Sequence, residues 1–237
     1  MFLLIYMAGK LPAYGYLSFF WGGDMKVYFV RHGQSLGNAK HVLLGHTDLD
    51  LSPLGYEQAR ATALEMRDFP IDVIYASDLR RAYNTAVPHA ELRGISAIPD
   101  EGFRECRIGE WENRSADWCR ENYRELFDKD WVFGFGTFRF PGGESTLEGG
   151  ERFLRRATEV CQANPGKSIL IASHAAVLRA FWAIISGIAP EDVAEKLPFP
   201  TNASYSVCEF DGERFIPIEY SHDRHLESIG ITKISYS

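Results

Sequence analysis

Lys26-Val27-Tyr28-Phe29-Val30-Arg31, followed at once by His32-Gly33-Gln34-Ser35, is the stretch on which the fold of this chain is decided. The first six residues form a β-branched and aromatic run that ends in a glycine-containing turn, the pattern of a buried strand. A histidine flanked by arginine then stands where that strand ends. In open α/β sheets, ligands bind outside the carboxyl ends of the strands.

Working outward, strand and helix patterns alternate. Ser52 and Pro53 open a helix as N-cap and first helical residue. Leu54, Ala59, Ala63, Leu64 and Met66 give it one apolar face to about Arg67. Asp72–Ala76 reads as a second strand, followed by a helix from about Asp78 that Pro88 interrupts or restarts. Ile95–Ile98 is a third short strand. Ser168–Ala172 is another, entered through Pro165-Gly166 and followed from His174 by an apolar helix to about Ser186. Ser204–Phe210 and Arg214–Tyr220 flank Asp211-Gly212, a hairpin signal. The alternation predicts a three-layer α/β/α sandwich with a mostly parallel central sheet and an antiparallel edge strand.

Composition sets outer bounds. The 237 residues carry 25 Lys plus Arg against 32 Asp plus Glu, a formal charge of -7. That balance disfavours a nucleic-acid partner, which is normally met by a basic face, but is silent on one small basic pocket. The 46% hydrophobic and 24% charged fractions are those of a globular chain. Cys106, Cys119, Cys161 and Cys208 show no paired spacing and read as reduced thiols of a cytoplasmic protein. No apolar run reaches the roughly 18 residues of a membrane span, so no stable membrane insertion is expected.

Residues 1–24 lack the ordered parts of a signal peptide. Either the native start is Met25, or this is a peripheral hydrophobic extension that packs on the domain or touches a membrane. Residues 25–237 are expected to form one domain, with an aromatic-rich insertion at about 111–144. That insertion carries Trp111, Trp118, Tyr123, Phe127, Trp131, Phe133, Phe135, Phe138 and Phe140. It reads as a cover for the sheet edge and an apolar pocket wall, with ordinary packing equally open for each ring.

Four polar constellations stand at strand ends. Arg31-His32-Gly33 with Asn38 follows the first strand, and Gly33 permits close backbone approach. Ser77-Asp78-Leu79-Arg80-Arg81-Ala82 follows the second, and two cations at a helix N-terminus oppose its dipole unless an anion is bound there. Glu105 lies in Phe103-Arg104-Glu105-Cys106-Arg107-Ile108-Gly109-Glu110-Trp111-Glu112. Ser173-His174-Ala175-Ala176 opens the apolar helix, where backbone N–H groups suit a phosphate.

Taken in order, Arg31-His32-Gly33 with Asn38, Arg81-Ala82, Glu105 and Ser173-His174 resemble the histidine phosphatase superfamily, which includes the cofactor-dependent phosphoglycerate mutases. The resemblance runs from about Lys26 to Leu226. It implies catalysis by His32 as phosphorus nucleophile, Glu105 as proton donor to the leaving oxygen, and His174. It also implies phosphate binding by Arg31, Gly33, Asn38, Arg81 and the Ala175 backbone. No metal and no cofactor are expected, because the Arg/His cluster supplies the positive charge. The histidines of His222-Asp223-Arg224-His225 read as surface residues.

One departure from the family pattern and one contrast between its branches bear on this resemblance. Members often carry Gly-Gly after the second histidine, where this chain has Ala175-Ala176; alanine serves if its φ is negative. Mutases are similar to one another in an adjacent arginine pair before the Gly-Gly-Glu-Ser motif, whereas Arg139 stands alone before Pro141-Gly142-Gly143-Glu144-Ser145. The chain therefore looks more like the phosphatase branch, with its broad-specificity and alpha-ribazole phosphatases. The expectation is a histidine acid-type phosphatase hydrolysing a small phosphorylated metabolite. A mutase-type phosphoryl transferase is the alternative, and a non-catalytic binding protein of the same fold is the third reading. A homodimer is left open as its assembly.

Overall fold

The computed structural model describes residues 25–127 and 138–232. One sheet is built from β1 (Met25–Arg31), β3 (Val73–Ala76), β4 (Ala97–Pro99), β6 (Ile169–Ser173), β7 (Tyr205–Phe210) and β8 (Phe215–His222). Their order across it is β4-β3-β6-β1-β7-β8. The first four are mutually parallel, with β1 paired to β6 from Val27–Ile169 to Arg31–Ser173. β7 runs antiparallel to β1, and β8 antiparallel to β7. The sheet is thus a parallel core extended by the expected hairpin. A separate ribbon joins β2 (Val42–Leu43) to β5 (Arg114–Ser115).

Strand side chains alternate between faces, so each strand feeds two cores. Val27, Phe29, Ile169 and Ile171 pack with Phe153, Val160, Val177 and Phe181, residues of α6 (Thr146–Ala163) and α7 (Ala175–Ile185). Tyr28, Val30, Ile74, Leu170 and Ala172 pack with Met66, Ala86 and Ala90 on the opposite face. That face belongs to α2 (Pro53–Glu65) and α3 (Arg80–Arg93). Short helices α1 (Leu36–Ala39), α4 (Ala116–Asn122), α5 (Arg124–Leu126) and α8 (Val193–Lys196) fill the connections.

Ser52 caps α2 as the sequence indicates, accepting from the Gly55 N–H at 3.1 Å. Pro88, by contrast, neither ends nor restarts α3. A proline removes one helical donor, but Ala82, Ala86 and Ala90 are buried around it, and their packing holds the helix through. The alternation of strands does not announce α6. Its N-terminus is a capping box, with Ser145 bonded to the Glu148 N–H and Glu148 bonded back to the Ser145 N–H. The pair Gly149-Gly150 weakens the helical pattern. Both are required by close approach: an added Cβ would stand 2.5 Å from Cys106 Sγ and 2.6 Å from Ala180 Cβ, respectively.

Within the aromatic-rich stretch, Trp111 is fully buried, with its ring 5.6 Å from Phe127, 5.6 Å from Phe138 and 5.5 Å from Phe140. These rings pack on one another in the core. Trp131, Phe133 and Phe135 lie outside the described residues, as do residues 1–24. All four cysteines are unpaired and buried. His222 and His225 are half-buried: His222 stacks on Tyr205 at 4.8 Å, and His225 bonds Thr62 Oγ1 at 2.9 Å. Among the described residues no helix is long and apolar enough to cross a membrane.

Candidate active site

The carboxyl ends of β1, β3, β4 and β6 bring the four constellations to one edge of the sheet. The Arg31 guanidinium is buried and donates to the Pro200 carbonyl at 2.5 Å. The β-ladder continues one residue further, since the His32 N–H donates to the Ser173 carbonyl at 2.9 Å. That bond fixes the His32 backbone beside β6. The His32 ring makes a 2.7 Å bond from Nδ1 to the Gly33 carbonyl. A carbonyl can only accept, so Nδ1 carries the proton and Nε2 presents its lone pair. Burial pushes His32 well below the usual histidine range, and the Arg81 and Arg31 guanidiniums push it further.

Gly33 and Asn38 serve this loop in different ways. The Gly33 N–H donates to Thr85 Oγ1 at 3.0 Å. A Cβ at Gly33 would stand 2.4 Å from the Gly55 carbonyl oxygen, so the close approach that demands glycine is to α2. Asn38 is the N3 residue of a capping box on Ser35. Its Oδ1 accepts from the Ser35 N–H and from Asn202 Nδ2, both at 3.2 Å. Asn202 also donates to the His32 carbonyl at 3.0 Å, which ties Asn38 to the histidine loop.

The two arginines that open α3 have separate fates. Arg80 is exposed and pairs with Asp48, which offsets its unfavourable place at the helix start. Arg81 is 1% exposed, and its guanidinium donates to the Thr47 carbonyl at 2.8 Å and the Gly45 carbonyl at 2.7 Å. Burial lowers Arg81 to about 10, while Glu105, Asp48 and Glu112 pull it back up. It remains a cation at neutral pH.

His174 follows β6 and is fully buried. Its Nε2 shares a 2.8 Å bond with Ser77 Oγ, and its buried Nδ1 has no partner among the described residues. Burial holds His174 well below the ordinary range, with Arg81, His32, His46 and Arg152 adding in the same direction. Ala175 and Ala176 open α7 with no positive φ. Alanine therefore satisfies the backbone here without glycine.

Glu105 bridges β4 to this helix start. Its Oε1 accepts from the Cys106 N–H at 2.9 Å and the Val177 N–H at 3.1 Å, and its Oε2 from the Ala176 N–H at 3.1 Å. The first turn of α7 thus meets a carboxylate, as a helix N-terminus favours. Four residues that the strand-end pattern does not mark as site residues bond to these groups: Ser77 as partner of His174, Asn202, His46 and Arg152. His46 Nε2 lies 2.8 Å from the Glu105 carbonyl, and Arg152 reaches the same oxygen at 3.1 Å.

The chain is 33% identical over 168 residues to "Putative phosphoserine phosphatase 2" of Hydrogenobacter thermophilus, covering 71% of this chain and 82% of that protein. It is 34% identical over 165 residues to "Probable phosphoglycerate mutase GpmB" of Yersinia pestis, covering 69% and 76%. A solved structure of mycobacterial glucosyl-3-phosphoglycerate phosphatase in complex with VO3 superposes with a TM-score of 0.75 at 25% identity, covering 84% of this chain and 100% of that one. A family model matches residues 27–222, spanning every strand of the sheet, and the chain belongs to the histidine phosphatase superfamily (branch 1).

Proposed function

We propose that this phosphatase of small phosphorylated metabolites is a histidine acid-type enzyme that works through a phosphohistidine on His32. The observation that carries the reading is the 2.7 Å bond from His32 Nδ1 to the Gly33 carbonyl. It fixes the tautomer whose Nε2 is a nucleophile, while burial and two guanidiniums keep the ring neutral.

In the first step His32 Nε2 attacks phosphorus and the bond to the ester oxygen breaks. Glu105, in its protonated form, gives that oxygen a proton, and the alcohol leaves. In the second step the Glu105 carboxylate takes a proton from water as the water oxygen attacks phosphorus. The phosphorus–nitrogen bond breaks, the electron pair returns to Nε2, and phosphate departs. Arg31 and Arg81 neutralise the equatorial oxygens through both steps. With the oxygen of Asn38 committed to Ser35 and Asn202, its amide nitrogen is the end that donates to phosphate. His174 donates from Nδ1, and the Ala175 N–H completes the cradle at the start of α7.

Hydrolysis is favoured over mutase transfer by the state of Arg139. Its guanidinium bonds the Gly143 carbonyl at 3.1 Å and pairs with Glu148, so it holds the capping box of α6. The relative named as a mutase keeps transfer as the second reading. The test is an assay of phosphate release from phosphoserine, 3-phosphoglycerate and other small phosphoesters, run beside a phosphoglycerate isomerisation assay with and without bisphosphoglycerate. The expected result is phosphate release without isomerisation. Isomerisation that outpaces release would overturn the assignment.

A further inference from the structure

We propose that Arg152, oriented by Glu144, is a positioning residue that holds the proton donor Glu105 in line with the leaving oxygen. This rests on the role given to Glu105 above. Arg152 lies in α6 and reaches across to the segment after β4. One guanidinium nitrogen donates to the Gly102 carbonyl at 2.9 Å and the Arg104 carbonyl at 3.1 Å. The other donates to the Glu105 carbonyl at 3.1 Å and to Glu144 Oε1 at 2.8 Å.

Three of the four carbonyls from Gly102 to Glu105 therefore converge on one side chain. The planar fork of arginine can serve several acceptors at once, which a lysine ammonium cannot match in a fixed plane. Glu144 closes the arrangement from the other side. Its carboxylate accepts from the Arg107 N–H at 2.9 Å, and its own N–H donates to the Arg107 carbonyl at 2.9 Å. The Arg152 and Glu144 side chains are 24% and 16% exposed. Such a largely desolvated pair is costly to form and persists where its hydrogen bonds are satisfied.

The backbone of Glu105 is thus gripped on both sides, by Arg152 from α6 and by His46 from the loop that also receives Arg81. Its carboxylate is separately fixed on the start of α7. Few degrees of freedom remain to the one group that must meet the ester oxygen as it departs from phosphorus on the side opposite His32. A misplacement of about 1 Å in such a group costs on the order of 10²-fold in rate.

The experiment compares kcat/KM for glycerol 2-phosphate, whose alkoxide leaves poorly, and p-nitrophenyl phosphate, whose leaving group needs little protonation. The proteins are wild type, Glu105→Gln, Arg152→Met, Arg152→Lys, Glu144→Gln and the Glu105→Gln/Arg152→Met double variant. Arg152→Met is expected to lose about 10²-fold on the alkyl ester and far less on the aryl ester. Arg152→Lys should recover part of that loss. The double variant should be no slower on the alkyl ester than Glu105→Gln alone, because residues acting through one group are not additive. Equal losses on both esters, or losses that multiply in the double variant, would overturn the proposal. If Arg152→Met does not fold, as judged by circular dichroism, Glu144→Gln is read by the same two criteria. A Glu105→Gln variant without leaving-group dependence would instead overturn the role of Glu105 itself, and with it this inference.

Discussion

The rings of His32 and His174 meet edge to face, with centroids 5.2 Å apart and planes inclined at 60°. They come from adjacent parallel strands, β1 and β6, so the sheet register sets their separation. Two imidazoles this close cannot both carry charge in a buried site that already holds two guanidiniums. Burial first, and the neighbouring guanidiniums after it, push each ring well below the ordinary histidine range, so both are neutral at pH 7 in the free protein. On the mechanism proposed above, one ring is left to attack phosphorus, and the other gains a proton only when a phosphate anion arrives.

The tautomer of His32 is directly observable. An imidazole-selective 15N NMR spectrum of the free protein at pH 6 should show His32 protonated on Nδ1 and bare on Nε2. A His32 signal that titrates with a midpoint near 6.5, or one protonated on Nε2, would contradict the geometry at Gly33.

Stability should fall on acidification. His32, His89 and His174 are buried and pushed below their ordinary values, His89 to about 3. The unfolded chain then binds protons below about pH 6.5 that the folded chain refuses. Each such histidine costs up to about 1.4 kcal/mol per pH unit between its unfolded and folded values. Urea denaturation at pH 7.5, 6 and 5 should give a declining unfolding free energy. His89→Met should make the decline shallower, since His89 has no hydrogen-bond partner on either ring nitrogen among the described residues. A flat or rising profile from pH 7.5 to 5 would count against this.

Gly33→Ala should destabilise the fold. The new methyl would stand 2.4 Å from the Gly55 carbonyl oxygen, a backbone atom of α2 that cannot turn aside. The cost is about 3 kcal/mol, as for overpacking of a rigid site. Differential scanning calorimetry should record a melting temperature lower by roughly 10 °C. An unchanged melting temperature would mean that α2 yields.

Asn202→Ala should weaken phosphate binding as well as stability. It removes the donor shared by the His32 carbonyl and Asn38 Oδ1 and the acceptor of Thr232 Oγ1. Unsatisfied buried groups cost about 1–3 kcal/mol. The inhibition constant for inorganic phosphate should rise, because Asn38 loses the contact that orients its amide. Unchanged inhibition would place Asn38 outside the phosphate site.

Much of this architecture is written locally. Lys26–Arg31 and Ser168–Ala172 declare themselves as buried strands, and Ser52-Pro53 marks a helix start, because those signals are confined to a few neighbouring residues. The contacts that finish the site are not local. Asn202 meets His32 across 170 residues and Ser77 meets His174 across 97, and no periodicity encodes such pairings. Pro88 shows the opposite failure, a strong local signal overridden by burial of the alanines around it. The Gly149-Gly150 pair conceals α6 for a tertiary reason, since the room those glycines leave is filled by Cys106 and Ala180. Arg152 is concealed together with its helix.

The central claim is the covalent one, and it can be read by trapping the phosphorylated protein during turnover. Protein mixed with excess p-nitrophenyl phosphate, quenched in alkali to preserve a phosphoramidate, and mapped by peptide mass spectrometry should carry one phosphoryl group on His32. His32→Ala should carry none and should not turn over. Phosphorylation at another residue, or turnover by His32→Ala at the wild-type rate, would contradict the account.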